Sequence, residues 1–305
     1  MRNFVFCLLL SVPLLSIAQS KKPLDHSVYD RWQSVQGAQI SDDGKWVVYM
    51  VNPQEGDGDL IIQSTDGNYK KTMARGYSSI ITNDSRFVIF KIRPLFKDTR
   101  DARIKKKRPD EMPKDSLVIL TLATGNINKL PAVKSFQIPE LGNDIIAYLS
   151  DPKTDIKKEG AQLFFRDLNS GQERVFNNIT EYVIHPKGEG LMMYQVKTKL
   201  NDAKILLASI ADTNLKTINS RFYTATNFTW DEEGKQLAYL IERDSTDKSL
   251  QKNYTLAYFT HEMDSAKFVM NRTDVLMPNQ YTIGGDKKIN FSKTGALLSF
   301  GVQPI

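Results

Sequence analysis

The stretch Ile40-Ser41-Asp42-Asp43-Gly44-Lys45-Trp46-Val47-Val48-Tyr49 constrains the fold most, because weaker copies of it recur along the chain. It reads as strand, tight turn, strand. Asp43-Gly44 offers the positive φ that a two-residue hairpin turn requires, and Trp46 to Val51 is β-branched and aromatic. The apolar residue, the turn and a strand ending on an aromatic return at Ile81 to Phe90 and, shortened, at Leu141 to Tyr148. Three further copies run from Ile184 to Tyr194, from Phe228 to Tyr239 and from Phe291 to Phe300. The closing aromatics are Tyr49, Phe90, Tyr148, Tyr194, Tyr239 and Phe300.

Between successive copies lies a second hairpin with its own turn chemistry. Leu60 to Ser64 turns through Asp66-Gly67-Asn68, Leu117 to Leu122 at Thr124-Gly125-Asn126, Leu163 to Leu168 at Asn169-Ser170-Gly171, and Ile205 to Ile210 at Asp212-Thr213-Asn214. The fifth, Tyr254 to Phe259, returns through Phe268-Val269-Met270. Each unit therefore carries four short antiparallel strands, and a period of roughly 40 to 45 residues of that kind is the mark of a β-propeller blade. The fold expected is all-β: an incomplete propeller over residues 38–305, of about five four-stranded blades plus the start of a sixth. Because a blade is covered on both faces by its neighbours, its middle strands should read as continuous apolar runs, as Trp46 to Val51 and Leu117 to Leu122 do. Two longer spacings are read as insertions, one at about 95–114 and one between Asp244 and Gln280.

The N-terminus stands apart from this pattern. Arg2 precedes an apolar run from Phe4 to Ile17 that is short for a membrane span, and Ser16-Ile17-Ala18 supplies small residues at the cleavage positions, so 1–18 is read as a secretory signal peptide. Nothing after it is apolar enough to span a membrane. The single cysteine, Cys7, lies within that leader, which leaves the mature chain without thiol catalysis, cysteine-bound zinc, iron–sulfur chemistry or disulfides. Residues 19–37 are read as a linker followed by a short amphipathic helix, in which Val28, Trp32 and Val35 share a face, Trp32 is a packing anchor and Gly37 is the stop.

The formal charge of +6 is local rather than global. Between Lys91 and Arg108 stand nine Lys or Arg residues against Asp98 and Asp101 alone, so the rest of the chain is about neutral. A single basic insertion of this kind is read as a short exposed helix from Phe96 to Lys107 closed by Pro109, with an anionic surface or a partner domain as the functional alternative and no nucleic-acid partner.

The turns at Ile40 to Lys45, Phe228 to Lys235 and Phe291 to Gly295 resemble the Ser-Pro-Asp-Gly-Lys repeats of TolB-type propellers, which also build the N-terminal domain of the prolyl oligopeptidase family. More specifically, four features together resemble exported prolyl-oligopeptidase-type serine peptidases of Bacteroidetes. They are the leader, Tyr29-Asp30-Arg31-Trp32, Glu55 to Leu60, and the segment Thr99 to Lys107 before Met112 to Leu117. The resemblance implies an exported, periplasmic or secreted protein whose propeller caps a C-terminal α/β-hydrolase domain and admits only small peptides to a Ser-Asp-His triad. It also implies that the chain, ending at Gly301-Val302-Gln303-Pro304-Ile305, is a fragment meeting peptide substrates through that separate domain. The alternative is a periplasmic TolB-like propeller that binds a protein partner.

No residue is assigned a catalytic, cofactor-binding or metal-binding role, and no cofactor is expected. Gly-x-Ser-x-Gly does not occur, the nearest run being Gly76-Tyr77-Ser78-Ser79-Ile80. His26, His185 and His261 fall in the linker, a repeat turn and a strand end, without a triad arrangement. The dipeptidyl-peptidase branch of the prolyl oligopeptidase family holds a substrate's amine with a propeller Glu pair, so the resemblance also implies a candidate amine-binding role for Asp231-Glu232-Glu233. Here the pair falls in a repeat turn rather than a protruding helix and is read as that turn. Glu55-Gly56-Asp57-Gly58-Asp59 has alternating carboxylates, but Leu60 stands where a calcium loop requires Gly, so an exposed turn is expected. Trp230-Asp231 is a WD dipeptide placed before a turn rather than at a strand end, and it does not indicate a WD-repeat protein.

Overall fold

The computed structural model describes residues 29, 32–142, 144–152, 156–199, 202–210, 214–243 and 251–305. The leader, Cys7, His26 and most of the N-terminal linker lie outside the described residues. Blade 1 consists of β1 (Gln33–Ile40), β2 (Trp46–Pro53), β3 (Asp59–Ser64) and β4 (Lys70–Ala74), paired antiparallel in chain order. Blade 2 repeats this with β5 (Gly76–Ile81), β6 (Phe87–Ile92), β7 (Ser116–Thr121) and β8 (Ile127–Leu130). The basic insertion enters between β6 and β7 as the helix α1 (Phe96–Ile104).

Blades 3 and 4 share a strand. β9 (Val133–Gln137), β10 (Ile145–Ser150) and β11 (Ala161–Asp167) lead into the long β12 (Glu173–Ile184), followed by β13 (Gly190–Gln195), β14 (Lys204–Ser209) and β15 (Leu215–Ser220). The first half of β12 pairs with β11 and the second half with β13, and Asn178 turns the strand between them with a φ of 62°. Blade 5 comprises β16 (Thr224–Trp230), β17 (Gln236–Glu242), β18 (Tyr254–Thr260) and β19 (Lys267–Met270). β20 (Tyr281–Ile283) also meets β18, β21 (Asn290–Phe291) pairs with β22 (Leu298–Ser299), and β23 (Val302–Pro304) pairs with β20. The architecture is an all-β propeller of four-stranded antiparallel blades.

The core lies between blades rather than within one layer. On β6, Phe87 and Ile89 pack toward blade 3 with Val133, Ile146 and Tyr148, while Val88, Phe90 and Ile92 pack toward blade 1 with Val48, Leu60 and Ile62. On β17, Leu237, Tyr239 and Ile241 face blade 4, and Ala238 and Leu240 face Met277, Ile283 and Ile289 beyond blade 5. Strict alternation sends successive side chains to opposite faces, so a strand covered on both sides is buried at every position and reads as a near-continuous apolar run. All six residues of β6 are buried accordingly, Lys91 included.

Five of the six repeat turns share one geometry. The N–H of Gly44, Ser85, Gly188, Gly234 and Gly295 each donates to the carbonyl three residues earlier, at 2.8 to 3.0 Å. The closing pair follows in each of these five, as from Ser41 N to Trp46 O at 2.9 Å and from Asp231 N to Gln236 O at 2.9 Å. This is a four-residue loop built on a tight turn, in place of the two-residue turn that Asp43-Gly44 suggests: Gly44 has positive φ and Asp43 does not. Side chains widen the loop. Ser41 Oγ donates to Asp43 and accepts from Trp46 N, and Thr82 does the same with Asp84 and Phe87.

These turns are also stitched to one another. Asp43 N donates to Ser85 Oγ at 3.3 Å, Asn83 donates to the Glu140 carbonyl, and Leu141 N donates to Pro186 O at 3.0 Å. His185 then meets the Gly234 carbonyl at 2.9 Å, and Gln236 the Gly295 carbonyl at 3.1 Å. Every blade thus reaches the next through the same loop.

The expected N-terminal helix is corrected where it can be seen. Val35 and Gly37 lie in β1, paired with β2 from Gln33–Pro53 to Ile40–Val47, because hydrogen bonding to an open strand edge outweighs a three-residue apolar spacing. Trp32 is 56% exposed and touches Tyr29 edge-on, so it does not anchor a core.

Candidate functional site

The structure gathers at the boundary of blades 4 and 5 residues that are far apart in sequence. β12 ends at Ile184 and delivers His185 as the first residue of its repeat turn, where Ser41 stands in blade 1. β16 ends on Trp230, which is therefore a strand-terminal residue as well as a pre-turn one, and β18 ends one residue before His261. Trp230 lies edge-on to His185 at 5.2 Å between ring centroids, and His261 stacks on Trp230 at 6.0 Å and 12°. With Glu189, Ser209, Asn214, Leu215 and Lys216 these rings line a cleft of about 480 Å³, a size suited to a small ligand or a short side-chain cluster.

Hydrogen bonding fixes the state of His185. Its Nδ1 accepts from Lys187 N at 3.2 Å, so that nitrogen is bare, and its Nε2 faces the Gly234 carbonyl at 2.9 Å, so that nitrogen carries the hydrogen. Burial lowers its pKa, opposed by the Gly234 hydrogen bond, and the ring is neutral at neutral pH. Gly234 makes the approach possible: its φ is +71°, and a Cβ there would collide with the imidazole. With both nitrogens engaged by backbone, His185 cannot accept a proton from a nucleophile.

The remaining groups are suited to holding rather than reacting. Lys216 Nζ donates to Met263 O at 2.6 Å and sits over the Phe259 ring at 5.2 Å. On the rim, Lys187 and Glu233 pair at 2.7 Å, which raises the lysine pKa and lowers the glutamate pKa. The Asp231-Glu232-Glu233 run thus serves the turn, Asp231 accepting from Gln236 N at 2.8 Å and Glu233 taking Lys187.

The other sequence candidates resolve into structural roles. Gly76 to Ile80 form most of β5, the first strand of blade 2, with Ser78 in a bulge, not a strand-to-helix elbow. In the Glu55 to Asp59 loop, Asp57 accepts from Phe96 N at 3.0 Å and tethers α1. Among the described residues no three His, Cys, Asp or Glu side chains form a group that could hold a metal. The cleft is absent from sequence reasoning because its rings come from three different strands, and only the shared repeat phase of His185 and Trp230 hints at their meeting. Glu242 was also missed: it is fully buried at the end of β17 and pairs with Lys252 at 3.5 Å.

Fold and cleft together define a β-propeller with a ring-lined cleft on its repeat-turn face. The sequence matches no protein-family model and no curated protein. Among solved structures, the chain is similar to the β-propeller domain of the trilobed protease from Pyrococcus furiosus, at 12% identity over 85% of this chain and 75% of that one, with a TM-score of 0.45. It is similar also to a Pyrococcus horikoshii acylaminoacyl peptidase, at 10% identity and a TM-score of 0.44, covering 88% of this chain and 42% of that one. A putative TolB from Agrobacterium tumefaciens gives 11% identity and a TM-score of 0.38 over 78% of this chain and 81% of that one. The chain thus spans less than half the length of the acylaminoacyl peptidase.

Proposed function

We propose that this chain is the non-catalytic, substrate-gating propeller of an exported serine peptidase of the prolyl oligopeptidase type, with hydrolysis carried out by a separate α/β-hydrolase domain. The observation that carries the reading is the combination of TolB-type repeat turns with a basic segment inserted between the second and third strands of blade 2. The state of His185 agrees with it, since a histidine held between two backbone groups stabilises a turn and performs no acid–base chemistry. Hydrogen bonds between successive repeat turns agree with a scaffold that could restrict access to a neighbouring site.

A protein-binding role for the propeller is favoured by one specific feature, the ring-lined cleft at blades 4 and 5. Two measurements test the proposal, and the second separates it from the binding reading. A fluorophosphonate probe applied to the purified chain should label nothing, and the reading frame beyond the Ile305 codon should encode Gly-x-Ser-x-Gly followed by Asp and His. Labelling of this chain would contradict the gating proposal, and a stop codon at that point in intact relatives would favour the binding module.

A further inference from the structure

The nine cations between Lys91 and Arg108 divide into two groups that the sequence does not distinguish. Those at the roots of the insertion are occupied. Lys91 pairs with Asp115 at 2.7 Å and donates to the Lys134 carbonyl, Arg93 lies over the Tyr77 ring at 4.3 Å, and Arg108 pairs with Asp110 at 3.4 Å and Glu111 at 3.6 Å. Those on α1 and the turn after it are not. Lys97, Arg100, Arg103, Lys105, Lys106 and Lys107 are exposed, and none of these six side chains has a carboxylate partner among the described residues. The helix is nonetheless held in place, by Ala102 buried beneath it and by the Asp57 carboxylate on its first amide.

One aliphatic side chain stands among these free cations. Ile104 is 69% exposed between Arg103 and Lys105, on the side of the helix away from the buried Ala102. We propose that this segment docks the propeller onto an anionic lipid surface, the six cations meeting headgroup phosphates and Ile104 entering the interface. Basic residues gather at a negative bilayer surface without fixed pairings, and apolar tips beside them add burial that charge alone does not supply. A nucleic acid would use the cations but would leave Ile104 in water, and no exposed aromatic lies among them to stack on a base. This inference does not depend on the gating role.

Co-sedimentation of the purified chain with phosphatidylcholine vesicles, with and without phosphatidylglycerol, tests the proposal at low and high salt. Binding is expected to require phosphatidylglycerol, to weaken with salt, and to fall by more than about tenfold in the triple variant Lys105→Glu, Lys106→Glu, Lys107→Glu. Those side chains touch nothing that holds the fold, so unchanged circular dichroism is expected with the loss. Ile104→Ser should lower vesicle binding about threefold while leaving retention on heparin unchanged. The proposal is overturned if anionic vesicles leave the chain in the supernatant, if the triple variant binds as before, or if Ile104→Ser affects neither surface, which would indicate a general polyanion site.

Discussion

β6 and β2 carry nearly the same kind of sequence and have different fates. Phe87-Val88-Ile89-Phe90-Lys91-Ile92 is buried at every position, whereas in Trp46-Val47-Val48-Tyr49-Met50-Val51 only Val48 is. Both are second strands of a blade and both follow the same turn. The difference is supplied by their neighbours, since β6 has blades 1 and 3 on its two faces and β2 packs Trp46, Val48 and Met50 against blade 2 alone. An apolar strand therefore signals a blade, but burial comes from what stands beside it. β1 shows the same exposure, with Val35 and Ile40 among the chain's exposed hydrophobic residues.

The comparison can be broken most directly by truncation of matched side chains. Val88→Ala, at the position of β6 that matches Val47, should cost about 2–3 kcal/mol, because it opens a cavity between blades 1 and 2. Val47→Ala, on the half-buried face of β2, should cost under about 1 kcal/mol, because little area leaves water there on folding. Urea unfolding of both variants measures the gap, and equal costs would mean that the two strands share one environment.

A smaller effect separates the turns of the same two regions. Ser41 in blade 1 and His185 in blade 4 hold the same position and are both buried, but only the histidine titrates. Since burial lowers the His185 pKa, the unfolded chain takes up its proton first as pH falls, and the native state loses stability progressively below the ordinary value of 6.5. His185→Gln should flatten the urea midpoint between about pH 7 and pH 5. The carboxylates with lowered pKa, among them Asp43, Asp84 and Asp167, contribute above their ordinary value of 3.8 and lose that contribution as pH falls through it, so their loss sets in at lower pH than that of His185. A midpoint equally pH-dependent with and without the imidazole would show that His185 is not buried in its neutral form.

Much of the fold is legible because blades repeat. Turn residues such as Gly44 and Gly234 recur in phase with aromatic strand ends, and the second hairpins fall where their own turns place them, down to the return through Phe268 to Met270. Ser85 shows the limit of that pattern, taking a φ of 58° in the place where four other copies have glycine. The start of β1, from Gln33 to Gly37, is not legible, for its residues bury almost nothing and its conformation is imposed by pairing with β2; only its end at Ile40 is. The cleft at blades 4 and 5 is illegible for another reason. His185, Trp230 and His261 become neighbours only through the packing of two blades, and nothing in their local sequence records that packing.

Hydrogen exchange followed by mass spectrometry tests the central claim, that the core of this propeller lies between blades and leaves its first strands thinly covered. Amides of β6 and β17 should be the slowest to exchange, and those of β1 should exchange roughly tenfold faster or more. Protection of β1 equal to that of β6, or exchange in β17 as rapid as in β1, would contradict it.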